Sequence, residues 1–146
     1  MIAQLSLATL MVLLTASVHL FGLALLVRVL RRHHRLVART NIAPVTLLLG
    51  ASLGLVSIHT VEIWLYAGLY LSLRAVPNFE NALYFSTVTY ATIGYGDVLI
   101  AKPWRILGAI EGAIGVIMLG WSTAFLVSLM SQLKVLSHDW LQTPER

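Results

Sequence analysis

The sequence predicts an all-α membrane protein with three transmembrane helices and a shorter re-entrant segment between the second and the third. Of its 146 residues, 58% are hydrophobic and 11% are charged, and the mean hydropathy is +0.84. Soluble domains carry about 25% charged residues, and a chain this short has too little interior to bury so much apolar surface. The apolar residues fall in three long runs, and the last two are separated by a stretch that contains proline and closely spaced glycines.

The first predicted transmembrane helix covers residues 1–31. At about 1.5 Å per residue such a run exceeds the ~30 Å hydrocarbon thickness, and lipid requires its backbone to bond internally as a helix. A basic loop is predicted at 32–41. A nucleic-acid patch is the alternative, but the flanking apolar runs favour a cytoplasmic loop near anionic lipid headgroups. The arginines in or just before this loop are Arg28, Arg31, Arg32, Arg35 and Arg39.

The second and third predicted transmembrane helices cover residues 42–73 and 105–133, and a short tail follows at 134–146. The positive-inside rule places the arginine-rich loop in the cytoplasm. The N-terminus is therefore expected outside the cell, and the tail is expected in the cytoplasm.

A short helix is predicted at residues 79–91, between the two long ones. Pro77 and Asn78 break the preceding pattern. Asn78 is a candidate N-cap, and Glu80 lies in the first turn, where an acid complements the helix dipole. This helix is too short to cross a membrane, and an extended, glycine-containing run follows it at 92–97. Such a pattern is typical of a re-entrant loop, in which non-helical backbone is buried in protein or lines a watery path.

The run at 92–97 reads Thr-Ile-Gly-Tyr-Gly-Asp. A lone Gly-x-Gly usually marks a turn, but this order of six residues lies between a short helix and a long one. Residues 42–133 resemble the pore module of potassium channels, with an outer helix, a pore helix, a selectivity filter and an inner helix. The whole chain is similar to small bacterial potassium-channel-family proteins with an additional N-terminal helix. The resemblance implies a homotetramer in the bacterial inner membrane that conducts K+, with the pore helix aiming its negative C-terminal end at the central cavity.

Selection of K+ requires that protein oxygens replace the water that the ion sheds, and rings of backbone carbonyls do this in potassium channels. Carbonyls alternate along an ordinary strand, so pointing them at one axis requires positive φ at some positions. Gly94 and Gly96 supply it without a Cβ penalty. The Thr92 hydroxyl adds an oxygen at the inner end, Tyr95 packs behind the filter, and Asp97 attracts cations at the outer mouth. The carbonyls expected to bind K+ are those of Thr92, Ile93, Gly94 and Tyr95.

The residues expected to support the filter depart from the common family pattern. Many family members have a tryptophan pair in the pore helix, and some have a glutamate one turn before the filter threonine. The matching positions here are Tyr84, Phe85 and Val88. We therefore expect the Tyr84 hydroxyl to donate to Asp97 in place of an indole.

Ionisable residues inside a membrane are costly, about 2.5–3.5 kcal/mol or more each on insertion scales, so each needs a partner. His59 and Glu62 share a helix face, and His19 lies at a comparable depth. The hypothesis is a polar cluster of His19, His59, Glu62 and Glu111 that braces the filter and confers pH sensitivity. The alternative is a structural hydrogen bond without a gating role, which the sequence favours slightly. A metal site is disfavoured because the candidate ligands lie on two helices without a tight motif.

The inner helix carries a candidate gating hinge at Gly115, where the family has a glycine that lets the cytoplasmic half splay. Four residues at helical spacing could line the central cavity or pack against other helices, and the sequence does not decide between the two. These are Ile114, Met118, Ser122 and Phe125.

The expected function is therefore a K+-selective channel subunit that needs no cofactor. Two alternatives remain: a less selective monovalent cation channel, and a non-conducting membrane subunit that partners another transporter. An enzyme is not expected, because the sequence has no nucleophile–base arrangement and no phosphate-binding loop. No spanning segment carries the regularly spaced arginines of a voltage sensor, and the absence of cysteine excludes disulfides and thiolate metal sites.

Overall fold

The structure is a computed structural model and describes residues 2–37 and 42–133. This part of the chain is built from helices, as the sequence predicts. Three of them, α1, α2 and α4, are long and apolar enough to cross a membrane. The helices are α1 (Ile2–Val37), α2 (Ala43–Ser72), α3 (Phe79–Tyr90) and α4 (Arg105–Gln132), with one 3-10 turn at Lys102–Trp104.

The first helix is longer than predicted. The expected end was residue 31, but α1 continues to Val37. Its 36 residues correspond to about 54 Å, well beyond the hydrocarbon thickness. The arginines mark where the chain leaves lipid, and because arginine is a good helix former, they do not end the helix. Residues 38–41 of the predicted loop and the predicted tail at 134–146 lie outside the described residues.

The bounds of the other helices agree closely with the sequence. Pro44 lies in the first turn of α2, where its missing N–H costs nothing. At the start of α3 the Asn78 side chain accepts a hydrogen bond from Asn81 N at 2.8 Å, with Glu80 in the first turn. The N-cap that the sequence predicts is thereby confirmed. The 12 residues of α3 correspond to about 18 Å, too short for a membrane crossing.

Two apolar cores hold the helices together. The larger joins all four helices around Tyr66, Tyr70 and Leu107, all fully buried. The smaller joins α1 to α2, where a Cβ at Gly54 would collide with the Leu26 side chain. Because Gly54 lacks that atom, α1 and α2 approach closely. Large apolar side chains remain exposed on the outer faces, among them Phe21 on α1, as expected of helices that face lipid.

Candidate functional site

The run from Thr92 to Asp97 follows α3 and has an alternating backbone. The φ angles are +60° at Thr92, +58° at Gly94 and +78° at Gly96. Ile93 and Tyr95 between them do not have positive φ. The positive φ predicted at both glycines is confirmed. The positive φ at Thr92 was missed, because a threonine rarely adopts this conformation and nothing local in the sequence signals it.

The start of this run is hydrogen-bonded to the end of α3. Thr92 N donates to Thr89 O at 3.0 Å, and the N–H groups of Ile93 and Gly94 donate to Val88 O at 2.8 and 3.1 Å. These bonds satisfy carbonyls that the helix end would otherwise leave without partners. Within residues 2–37 and 42–133, the carbonyls of residues 92–95 accept no backbone hydrogen bond.

All six residues of the run are exposed in the single chain. Ile93 is 51% exposed and Tyr95 is 71% exposed, and a Cβ built at Gly94 or Gly96 meets nothing within 4 Å. The expected packing of Tyr95 behind the run is therefore not made within its own chain. An exposed apolar and aromatic surface of this kind marks an interaction site.

Asp97, at the end of the run, is held by α3. Tyr84 Oη donates to Asp97 Oδ2 at 2.7 Å, and Val98 N donates to Asp97 Oδ1 at 3.0 Å. The hydrogen bond from Tyr84, which the sequence led us to expect, lowers the pKa of Asp97 below its ordinary value. The same bond raises the pKa of the Tyr84 phenol. Both groups are open to solvent, so the bond orients the carboxylate more than it stabilises the fold.

Phe85 and Val88, the other predicted support residues, are buried. The Phe85 ring packs edge-on against Tyr70 with centroids 5.3 Å apart. The ring also packs closely against Gly108, where an added Cβ would lie 3.1 Å from it. Val88 contributes the carbonyl that accepts the two N–H groups of the run. Phe85 thereby fixes α3 against α2 and α4, whereas Val88 holds the start of the run to the end of α3.

Behind α3 lies a buried group that we call the histidine–glutamate cluster: His19, His59, Glu62, Tyr90 and Ser122. His19 Nδ1 lies 2.9 Å from Glu62 Oε1, and His59 Nδ1 lies 3.0 Å from Glu62 Oε2. Tyr90 Oη donates to Glu62 Oε2 and lies 3.0 Å from His59 Nδ1. Ser122 Oγ lies 2.9 Å from His59 Nε2. His19 and Glu62 are 0% exposed.

This cluster differs from the predicted one in two ways. Tyr90 and Ser122 were missed, since the contacts of Tyr90 with Glu62 and of Ser122 with His59 depend on how three helices are offset along their axes. Glu111 was wrongly included. It accepts hydrogen bonds from Tyr70 Oη at 2.6 Å and from Ser86 Oγ at 2.5 Å, in a separate group. The predicted pH sensitivity of the cluster stays a prediction.

Gly115, the predicted hinge, lies in α4 beside the end of α3. A Cβ there would collide with the carbonyl oxygen of Tyr90, so the glycine lets α4 approach the end of α3. Helix α4 is continuous through this position, and the hinge stays a prediction. Ile114, Met118 and Ser122 are buried within the single chain, which favours packing over cavity lining for these three. Phe125 packs against the α1–α2 core.

The comparison with protein families assigns the class of the molecule. The model of the ion channel family matches residues 58–132, just over half of the chain. The chain belongs to this ion channel family. The match covers the second half of α2, all of α3, the exposed run and α4, whereas α1 lies outside it. No curated protein and no solved structure matches the chain.

Proposed function

We propose that the chain is one subunit of a homotetrameric, K+-selective channel, and that residues 92–97 form its selectivity filter. The observation that carries this proposal is the alternation of φ along the run. Positive φ at every second residue, at Thr92, Gly94 and Gly96, is the conformation that turns successive carbonyls to one side. A single strand of this kind offers a row of oxygens to an ion.

The proposed selection mechanism uses backbone dipoles. The carbonyls of residues 92–95 make no backbone hydrogen bond within the described chain, so they are free to replace the water of a dehydrated K+. The N–H groups of residues 92–94 are engaged by the end of α3, which fixes the orientation of these peptides. Thr92 adds its hydroxyl at the inner end. Asp97, whose pKa is lowered by the hydrogen bond from Tyr84, would concentrate cations at the outer mouth.

The proposal requires several copies because one strand cannot surround an ion. Potassium filters use four strands around one axis, and the run is exposed as such an arrangement requires. Tyr95, 71% exposed in the single chain, would find its packing partner on a neighbouring subunit. In this assembly α3 is a re-entrant pore helix whose C-terminal end points its partial negative charge toward the permeating cation.

The proposed orientation places the N-terminus outside and the C-terminus in the cytoplasm. Arg28, Arg31 and Arg32 lie toward the end of α1 and are exposed, which the positive-inside rule assigns to the cytoplasm. Because α2 returns outward, the run of residues 92–97 then opens to the outside. The membrane would be the bacterial inner membrane.

The test is ion flux through liposomes that contain the purified chain. We expect K+ uptake that barium blocks and a reversal potential that follows the K+ gradient. Gly94→Ala should abolish selective flux, because an alanine at φ +58° costs about 1–2 kcal/mol in each copy. The matched control is Gly68→Ala, since Gly68 lies in α2 and an added Cβ meets nothing within 4 Å.

Three results would contradict the proposal. A reversal potential that follows Na+ would indicate a less selective cation channel. Protein that passes no ions but co-purifies with a transporter would indicate an accessory subunit. Unchanged selectivity in Gly94→Ala would remove the filter from residues 92–97.

A further inference from the structure

The geometry points to a second, separate site: the histidine–glutamate cluster binds a divalent transition-metal ion of the zinc class. His19, His59 and Glu62 each offer one ligand atom, and these atoms lie within 4.8 Å of one another. Tyr90 Oη adds a further oxygen, 3.0 Å from His59 Nδ1. The sequence disfavoured a metal here because the candidate ligands lie on two helices without a tight motif, but α1, α2 and the end of α3 bring them together.

Three atoms of the cluster make more close contacts with one another than their protons can turn into hydrogen bonds. His59 Nδ1, Glu62 Oε2 and Tyr90 Oη form a triangle in which each atom contacts the other two. When Glu62 is ionised, the triangle holds at most two protons, one on the imidazole and one on the phenol. Two protons cannot make three linear hydrogen bonds. A cation bound between these three atoms would accept the lone pairs that no proton occupies.

The charge of the cluster also favours a cation. Glu62 is 0% exposed in a helix that can span a membrane, and an ionised carboxylate at such a position needs a counter-charge. Within the described residues its ion-pair partners are the two histidines, not a lysine or an arginine. Two neutral imidazoles donate hydrogen bonds but do not neutralise the charge, whereas a divalent ion does.

The ligand types and spacings select the metal. Two imidazole nitrogens with a carboxylate suit Zn²⁺ and its neighbours, whereas Ca²⁺ takes six to eight oxygens. In a tetrahedral site with metal–nitrogen distances of about 2.0–2.1 Å, neighbouring ligand atoms are about 3.3 Å apart. His19 Nδ1 lies 2.9 Å from Glu62 Oε1, and His59 Nδ1 lies 3.0 Å from the other carboxylate oxygen, Oε2. Since one ligand atom from each residue lies within 4.8 Å of the others, the atoms need to shift by no more than about 1.5 Å to reach this spacing.

The surroundings hold the His59 ring as a metal ligand requires, whereas His19 Nε2 is buried without a hydrogen-bond partner among the described residues. Ser122 Oγ lies 2.9 Å from His59 Nε2 and can accept its N–H, which is how ligand imidazoles are usually oriented. The His19 ring lies between His59 and Trp121, with centroids 5.4 and 6.0 Å away. His19 and His59 both turn Nδ1 toward Glu62.

A metal at this position would connect two parts of the chain. His19 lies on α1, outside the residues that match the ion channel family, whereas His59, Glu62 and Tyr90 lie inside them. Tyr90 is the last residue of α3, two positions before Thr92. The ion would therefore join α1 to the helix from which residues 92–97 extend. With Tyr90 Oη in the fourth position of the tetrahedron, the site would be closed, as structural zinc sites are.

The experiment measures zinc bound to the full chain, purified without a histidine tag, equilibrated with zinc and freed of excess. We expect one zinc per chain in the wild type and loss of that zinc in His19→Gln. The matched control is His33→Gln, which alters a half-buried histidine of the same helix outside the cluster and should retain zinc. Wild type without stoichiometric zinc, or His19→Gln with undiminished zinc, would overturn the proposal.

X-ray absorption at the zinc edge of the wild type decides the case if His19→Gln does not fold. We expect imidazole scattering with zinc–nitrogen distances of about 2.0–2.1 Å. Zinc surrounded by oxygen alone would overturn the site. Neither readout depends on ion conduction, so the site and the proposed channel function can fail independently.

Discussion

Helix α3 carries two tyrosine–carboxylate hydrogen bonds that lie in opposite surroundings. Tyr84, near the middle of the helix, donates to Asp97 in the exposed run. Tyr90, at its last residue, donates to Glu62 in the buried histidine–glutamate cluster. The run is exposed in the single chain, whereas the cluster finds its partners within one chain. The same chemical contact therefore holds an exposed carboxylate in one place and a buried carboxylate in the other.

The difference follows from solvation. A hydrogen bond between exposed groups replaces bonds to water and contributes little net stability. A buried carboxylate that loses a hydrogen-bond donor cannot replace it with water. The folded state is therefore destabilised by the full desolvation cost of that missing bond. Substitutions in the two regions should consequently change different observables.

The largest effect on stability is expected at Gly115, where α4 packs against the end of α3. Gly115→Ala places a methyl group against the Tyr90 carbonyl, which requires α4 to move away from the end of α3. Overpacking of this kind costs about 1–3 kcal/mol, visible as a lower unfolding temperature in detergent. Gly120→Ala in the same helix is the control, since its Cβ meets nothing within 4 Å. Equal unfolding temperatures for the two variants would show that α4 does not depend on this close approach.

A comparable loss is expected within the cluster. Tyr90→Phe removes a hydroxyl that donates to the buried Glu62 carboxylate, and leaving such a group short of a donor costs about 1–3 kcal/mol. Tyr84→Phe is the matched variant, because it removes the same hydroxyl from the same helix at an exposed contact. We expect Tyr90→Phe to lower the unfolding temperature and Tyr84→Phe to leave it unchanged. A reversed order would contradict the distinction between the two regions.

The smallest effect is a shift in the pH dependence of conduction. The hydrogen bond from Tyr84 lowers the pKa of Asp97, so its stabilising contribution is present at neutral pH and is lost as the pH falls through the folded-state pKa. In Tyr84→Phe, Asp97 takes up its proton at a higher pH, and the attraction of K+ to the outer mouth is lost earlier on acidification. Currents recorded during an external acid titration measure this shift. Superimposable curves for wild type and variant would contradict the role given to Tyr84.

The sequence predicted the features that depend on local chemistry. The apolar runs predicted the three long helices, Asn78 predicted the start of α3, and the glycines predicted two of the three positive φ angles within residues 92–97. The contact of Tyr84 with Asp97 was also expected, because both positions belong to a motif of known spacing. These features need little knowledge of how the helices are arranged.

Features that depend on the offset between helices were not predicted. Glu62 and Glu111 look alike in sequence, but α4 places Glu111 beside Tyr70 and Ser86, away from the histidines. Ser122 was a candidate cavity residue until the fold placed it against His59. The end of α1 was missed for a related reason: charge indicates where the membrane ends, not where the helix ends.

The most direct test of the central claim is a cryo-electron microscopy map of the full chain in lipid nanodiscs with K+. We expect four copies around one axis, with the carbonyls of Thr92 to Tyr95 facing density on that axis. We also expect Tyr95 to pack against a neighbouring copy. A monomer, or a run directed away from any shared axis, would contradict it.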